Sequence, residues 1–206
     1  MRLTVQVCNF YLLRHGKVDG DAALNGHSDK LVDGVVQERI SQAICRRAIA
    51  FDHIITSPLR RCADLALLLK KKQPAVKMSI EEQLREISFG TLDGQAFDSI
   101  KDKWPLLDAF WQNPAENTLP EAETLSDFRQ RIVSAWSKII ETERDNTLII
   151  THGGVIRMIL ADALQLDWQN PLWHSRLAIA NASITHIQIS KAEQHYISVR
   201  SIAVDL

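Results

Sequence analysis

Two runs of strand-forming residues in this chain stop at the same pair, a histidine followed by a glycine. Phe10-Tyr11-Leu12-Leu13 runs into Arg14-His15-Gly16, and Thr147-Leu148-Ile149-Ile150-Thr151 runs into His152-Gly153-Gly154. An apolar run that halts at polar residues puts those side chains at a strand end, where open α/β sheets keep their ligand crevice. If the two strands are parallel and near neighbours, both imidazoles emerge at one edge of the sheet. Arg14 offers a rigid, permanently charged fork that matches phosphate or carboxylate oxygens. His15 offers a nitrogen suited to nucleophilic or base chemistry near neutral pH. The glycine after each histidine, Gly153 in the second case, lets a backbone N–H approach an anion. Taken alone, either triplet is also compatible with a strand end whose polar groups meet water. The rest of the chain decides between these readings.

Between and around the two runs, strands alternate with helices. Residues 17–33 read as a loop over the first strand end, with a turn cluster at Asn25-Gly26-His27-Ser28-Asp29. Val35, Val36, Ile40, Ala43, Ile44 and Ala48 recur at helical spacing, which predicts a helix over 33–50. His53-Ile54-Ile55-Thr56 is a short strand, and Ser57-Pro58 reads as the N-cap and first position of a helix that runs to Lys70-Lys71-Lys72. A weak strand at 76–80 precedes an aperiodic stretch over 81–94. Residues 97–111 look helical but carry Pro105, which should break or kink them. A long amphipathic helix over 125–143 leads into the second strand, and a helix over 156–166 follows. Residues 168–180 form a connection, and strands at 184–189 and 196–199 close the chain. This alternation predicts an α/β fold with a largely parallel central sheet. Residues 1–206 are expected to form one domain, with residues 97–123 as a mostly helical, lid-like insertion.

Composition excludes several classes. At 46% hydrophobic and 24% charged, the 206 residues suit a globular protein with a sizeable core. A formal net charge of −1 gives no attraction to nucleic acid or to an anionic membrane. Residues 1–7 lack the apolar core of a signal peptide, and no stretch approaches the ~18 apolar residues of a membrane span. Three scattered cysteines fit neither a disulfide framework nor a zinc site. These features fit a cytoplasmic enzyme or binding protein.

The helix opening after Ser57-Pro58 carries Arg60 and Arg61 in its first turn. A helix N-terminus already favours anions, and arginine there compounds the effect. Arg14-His15-Gly16, Ser57-Pro58-Leu59-Arg60-Arg61, Leu84-Arg85-Glu86-Ile87-Ser88-Phe89-Gly90 and His152-Gly153-Gly154, in that order, resemble the histidine phosphatase superfamily. The resemblance spans most of the chain. It implies the phosphoglycerate-mutase-like fold, a three-layer α/β/α sandwich around a mostly parallel sheet. It also implies that Arg61 rather than Arg60 enters the phosphate pocket, and that Glu86 is the family's acid.

The chemistry follows from the residue types. Arg14, Arg61 and a protonated His152 would hold the three non-bridging oxygens of a phosphomonoester. His15 would attack phosphorus and carry it as a phosphohistidine. Glu86 would protonate the leaving alkoxide and then deprotonate the attacking water. With arginines neutralising the phosphate, neither a metal nor another cofactor is expected. The chain departs from the family after Gly16, where many members continue with Glu-Thr or Glu-Ser. Here Lys17-Val18-Asp19-Gly20-Asp21 stands instead, so Asn25 or Lys17 is expected to supply the missing phosphate contacts.

Pro120-Glu121-Ala122-Glu123-Thr124, Phe128-Arg129-Gln130-Arg131 and Trp173-His174 resemble α-ribazole phosphatase-like members, more loosely than the core motifs do. The resemblance therefore implies a small phosphorylated metabolite as substrate, with α-ribazole 5′-phosphate as the specific candidate. The alternatives are a cofactor-dependent phosphoglycerate mutase, whose members resemble longer chains, and a catalytically weak member that binds a phosphorylated ligand. Family members are often dimers, so a homodimer is the partnership the resemblance offers. Of the remaining histidines, His53, His186 and His195 are expected to be structural or exposed, and His174 is the one candidate to approach the site.

Overall fold

A computed structural model of the protein describes residues 5–47, 49–143 and 145–206. Ala48, assigned above to the first helix, and residues 1–4 of the N-terminal segment lie outside the described residues. Six strands form one sheet in the order β3-β2-β4-β1-β5-β6. They are β1 (Gln6–Arg14), β2 (His53–Thr56), β3 (Lys77–Ile80), β4 (Asn146–Thr151), β5 (Ser183–Lys191) and β6 (His195–Asp205). Strands β3, β2, β4 and β1 run parallel, while β5 lies antiparallel to β1 and β6 antiparallel to β5. This is the mostly parallel sheet that the alternation predicts.

Strand β1 sits between β4 and β5 and is buried on both faces, as its near-continuous apolar sequence requires. Cys8, Phe10 and Leu12 point into one core with α4 (Leu125–Thr142) and α5 (Gly153–Ala163), where Trp136 meets Phe10 edge-on at 5.1 Å. Leu13 points into a second core with Ile40 of α1 (Gly34–Arg46) and Leu65 of α2 (Arg60–Lys72). The period-2 alternation of a strand thus divides its side chains between two helical layers.

Local chemistry sets most helix starts. Asp33 caps α1 by accepting from the amides of Val35 and Val36, and Thr124 caps α4 through the amide of Asp127. The expectation at Ser57-Pro58 needs correction. Helix α2 begins at Arg60 with Leu59 at the cap position, because the Ser57 hydroxyl is engaged by His152 instead. The first-turn amide of Arg60 donates to Asp29 Oδ1 at 2.7 Å, so an acid from the preceding loop already fills that helix terminus. Pro105 starts a helix rather than kinking one. It sits in the first turn of α3 (Trp104–Gln112), where its missing N–H costs nothing, and two 3₁₀ turns precede it.

Helix α5 begins at Gly153, three residues earlier than the periodicity suggests, because glycines hide a helix start from apolar spacing. A short helix α6 (Pro171–Arg176) interrupts the connection over 168–180. Leu107 of α3 packs with Leu92, Ile100 and Leu119 in a small core of its own beside the sheet ends. Among the described residues, no helix is long and apolar enough to cross a membrane.

Candidate active site

Parallel pairing of β1 with β4 aligns Arg14 with Thr151, so His15 and His152 leave adjacent strands at the same level. The amide of His15 still donates to Thr151 O at 3.0 Å, and the imidazoles meet edge to face with centroids 5.1 Å apart. From the β5 side, the Ala182 amide bridges the carbonyls of Arg14 and His15 at 3.1 Å, and Asn181 Nδ2 reaches His15 O at 3.2 Å. Ala182 takes a φ of +57° to do so, a strained conformation for a residue with a Cβ. The first strand end is held from both sides.

His15 has one nitrogen committed and one free. Nδ1 lies 2.7 Å from Gly16 O, an acceptor only, so Nδ1 carries the proton and Nε2 keeps its lone pair. Burial, then the charges of Arg61 and Arg14, lower its pKa to about 3, against a Gly16 hydrogen bond that works the other way. The ring is neutral at physiological pH, as a nucleophile requires.

His152 is arranged differently. Its Nδ1 accepts from Arg61 Nε at 3.2 Å, and its Nε2 therefore holds the proton and donates to Ser57 Oγ at 2.8 Å. It is fully buried, with Cys62 Sγ 3.7 Å from Nε2. Burial first, then Arg61, His15 and Arg14, hold its pKa well below the ordinary histidine value. The protonated His152 expected from the sequence is therefore corrected to a neutral imidazole in this pocket. An arginine donating into Nδ1 leaves no place there for a second proton.

Arg61 is placed beside both histidines but makes different contacts from those expected. It is fully buried, and its guanidinium donates to the carbonyls of Ser28 (2.8 Å), Asn25 (3.1 Å) and Gly26 (2.6 Å). Arg60 is exposed and pairs with Asp64, as anticipated for the outer of the two. The loop that Arg61 holds is fixed a second time by Asp93, whose carboxylate accepts from the amides of Gly26, His27, Ser28 and Phe89 at 2.7–3.1 Å. Gly26 admits no other residue, since a Cβ there would lie 2.1 Å from Ile87 O.

Glu86 arrives from the opposite loop. Its carboxylate accepts from the Gly154 amide at 3.0 Å and from the Ile87 amide at 3.1 Å, which ties it to the N-terminus of α5. A Cβ on Gly154 would stand 2.3 Å from Glu86 Oε1, so that glycine makes room for the acid. Arg131 of α4 donates to the carbonyls of Gln83, Arg85 and Glu86 while pairing with Glu123 at 2.6 Å. The acid's backbone is thereby anchored to a helix.

These groups surround a cavity of about 390 Å³ lined by Arg14, His15, Lys17, Asn25, Glu86 and Asn181. Lys17 is exposed at its rim. Arg14 is largely buried in its wall. One Nη donates to Ile179 O, while Nε is sealed with no partner. Gly153 sits flush behind Arg14, where a Cβ would lie 3.4 Å from Nε. Burial lowers the Arg14 pKa, and the carboxylate of Glu86 opposes that. Arg61 and His152 stand behind His15 and do not line the cavity.

A second cavity of about 250 Å³ adjoins the first and shares Leu24, Glu86 and Phe89 with it. His174 lies in its wall, consistent with its expected approach to the site. His53 bonds Glu143 and Ser79, and His186 stacks on Tyr11, both away from the site.

Sequence reasoning missed Ser57, Asp93 and Asn181 as site residues. Ser57 had a signal, because it follows β2 just as His15 and His152 follow β1 and β4, and its amide donates to Ile150 O at 3.0 Å. Three neighbouring parallel strands each end at a polar side chain on one edge of the sheet. Asp93 and Asn181 lie in aperiodic segments and had none.

The family model for the histidine phosphatase superfamily (branch 1) matches residues 10–201. The broad-specificity phosphatase of Saccharomyces cerevisiae is 26% identical over 202 residues, which cover 93% of this chain and 84% of that protein. Among solved structures, a mycobacterial glucosyl-3-phosphoglycerate phosphatase aligns with a TM-score of 0.81 at 20% identity, covering 97% of this chain and all of that one. The α-ribazole phosphatase of Shigella flexneri aligns with a TM-score of 0.74 at 20% identity, covering 96% and 98%. At such identities the two structures speak for the fold.

Proposed function

The chain belongs to the histidine phosphatase superfamily, and we propose that it hydrolyses a small phosphorylated metabolite through a phosphohistidine on His15. One observation carries this reading above the rest. His15 is neutral, its Nδ1–H is tied to Gly16 O, and its free Nε2 shares a cavity with Arg14 and Glu86.

In the first step Nε2 attacks phosphorus, the bond to the leaving oxygen breaks, and the electron pair stays on that oxygen. Glu86 acts as the general acid that delivers a proton to the departing alkoxide. In the second step the Glu86 carboxylate removes a proton from water, which displaces His15 and releases inorganic phosphate. Arg14 neutralises the transferred group, with Lys17 and Asn25 lining the same cavity. Arg61 and neutral His152 act from behind His15. Arg61 contributes positive potential and the His152 ring packs edge to face on His15, in place of the direct hold on oxygens expected from the sequence. The Gly16 bond gives the imidazolium nitrogen formed on phosphorylation an acceptor for its proton.

Helix α3 and the turn after it supply Phe110, Trp111 and Pro114 to the second cavity, which supports a covering role for residues 97–123 on the leaving-group side. α-Ribazole 5′-phosphate remains the specific substrate to try first.

The test is turnover of p-nitrophenyl phosphate in EDTA, with acid-labile phosphoenzyme trapped by quenching. Product release and labelling are expected, with both lost in His15→Ala. Hydrolysis that persists in His15→Ala would overturn the mechanism. A screen that includes α-ribazole 5′-phosphate, and 3-phosphoglycerate with a bisphosphorylated primer, separates hydrolysis from mutase chemistry by whether inorganic phosphate appears.

A further inference from the structure

We infer that Arg131 and Glu123 are positioning residues for the general acid: as a pair they set where Glu86 stands and fasten it to the chain that covers the leaving group. The inference rests on the phosphatase reading and adds to it the groups that aim its proton donor. Neither residue lines the cavity that holds His15 or the one beyond Glu86, so both act through Glu86.

The use made of one guanidinium is the first argument. Arginine has five N–H groups, and five hydrogen bonds leave Arg131. Nε donates to Glu123 Oε1 at 2.6 Å and Nη2 to Glu123 Oε2 at 2.9 Å, a bidentate pair. Nη2 also donates to Glu86 O at 3.0 Å, while Nη1 reaches Arg85 O at 2.9 Å and Gln83 O. Three carbonyls of one aperiodic segment thus converge on a single side chain of α4. A planar fork can serve them all, and a lysine ammonium, whose donors share one nitrogen, cannot.

Glu86 is therefore held at both ends. Arg131 fixes its backbone carbonyl, and the amides of Gly154 and Ile87 fix its carboxylate. Two residues earlier, Leu84 is fully buried and its carbonyl accepts from Thr151 Oγ1 at 3.0 Å, at the end of β4. A general acid needs this definition, since a misplacement of about 1 Å can cost roughly a hundredfold in rate.

Glu123 carries the coupling to the leaving-group side. Its amide donates to Ser88 O at 3.1 Å, and its Oε2 accepts from Ser88 N at 3.4 Å. Beside it Thr91 N donates to Pro120 O at 3.0 Å. Gly90, at a φ of +57°, packs so close that a Cβ would lie 2.1 Å from the same oxygen. Residues 120–123 are thereby zipped onto residues 88–91. They end the stretch that supplies Phe110, Trp111 and Pro114 to the second cavity, and the Arg131 guanidinium lies 4.8 Å from the ring centre of Phe128, another of its walls. The segment over the leaving group is tied, through Glu123 and Arg131, to the residue that protonates it.

Leaving-group dependence tests this. 2,4-Dinitrophenyl phosphate expels a stable anion without a proton, whereas phenyl phosphate and then hexyl phosphate need one increasingly. The quantity to compare is kcat/KM, which reports the steps up to phosphohistidine formation and not its later hydrolysis. Arg131→Lys should lose about a hundredfold on hexyl phosphate and less than about threefold on the dinitrophenyl ester. Glu123→Gln, which keeps the shape and removes the charge, and Gly90→Ala, which pushes Pro120 away, should show the same graded loss at smaller size. Glu86→Gln should be graded too, and adding Arg131→Lys to it should cost less than about threefold more on any ester. A defect of folding alone would lower all three rates together. Arg131→Lys and Glu123→Gln are independent trials, and an ungraded loss in either, or full additivity with Glu86→Gln, would overturn the inference. An ungraded loss in Gly90→Ala would overturn the coupling to residues 120–123. Turnover surviving in His15→Ala, or an ungraded loss in Glu86→Gln, sinks the phosphatase mechanism itself, whereas His15-dependent turnover with an ungraded Arg131→Lys sinks only the positioning role.

Discussion

The two histidine-glycine strand ends look alike in sequence and sit side by side in register, yet they hold their imidazoles in opposite ways. After Gly16 the chain leaves as a loop, one His15 nitrogen meets a carbonyl, and the other faces a cavity. After His152 a helix begins at once. That ring is enclosed against Ser57, Arg61 and Cys62 with both nitrogens occupied. In the mechanism we propose, what distinguishes the nucleophile from its support is therefore not the motif but the partner of the second nitrogen.

This contrast can be broken most directly by exchanging each ring for an amide. His15→Asn should lose roughly 10⁵–10⁶ in kcat and form no phosphoenzyme, as nucleophile removal does elsewhere. His152→Asn should lose only about 10²–10³ and still label, the scale for removing one electrostatic stabiliser. Equal losses, or label carried by His152, would erase the distinction.

The two glycines that follow His152 give the next largest effect. Gly154→Ala should displace the Glu86 carboxylate and cost roughly 10²–10⁴ in turnover. Gly153→Ala meets Arg14 at ordinary contact distance and should cost less than about tenfold. Comparable rates for the two variants would show that Glu86 is not seated as described.

Ser57→Ala leaves the His152 Nε2 proton buried without an acceptor. It should destabilise the protein by about 1–3 kcal/mol, read as a fall in Tm. A mutant as stable as the parent would mean that the second ring is not enclosed as we describe.

The smallest effect is a pH dependence shared by both rings. Each has a folded pKa below its unfolded value of about 6.5. Between these values the unfolded chain binds protons that the folded chain does not, so stability rises with pH. The contribution is complete above about pH 6.5 and is lost progressively as pH falls toward the folded value of about 3 for His15. Tm should drop from pH 7 to pH 4, and the slope should flatten in His15→Asn. An unchanged slope would show that His15 is not held neutral by the fold.

The two histidine-glycine strand ends were legible because strands announce themselves by apolar runs, and a polar residue at the end of one is conspicuous. Parallel pairing of β1 with β4, conditional in the sequence, is what turns two motifs into one crevice. Glu86 lines the cavity, whereas Arg61 is buried outside its lining, and the hydrogen bonds of Arg61 could not be read, since its acceptors are backbone carbonyls contributed by residues 25–28. Loops carry no periodicity, which is why Asp93, clasping four amides across 65 or more positions for three of them, left no trace. The Ser57 misreading has the same root. A cap signal is local, and a histidine 95 residues away took the hydroxyl instead.

Cys62, against the inner face of His152, has a practical consequence. Burial raises its thiol pKa well above the usual range, so almost no thiolate exists there at any working pH. Alkylating reagents and mild oxidants should pass over the cysteine nearest the reaction and modify the exposed Cys45 on α1 instead. A single-cysteine label for fluorescence work can accordingly be placed on the native chain, at Cys45, without touching the site.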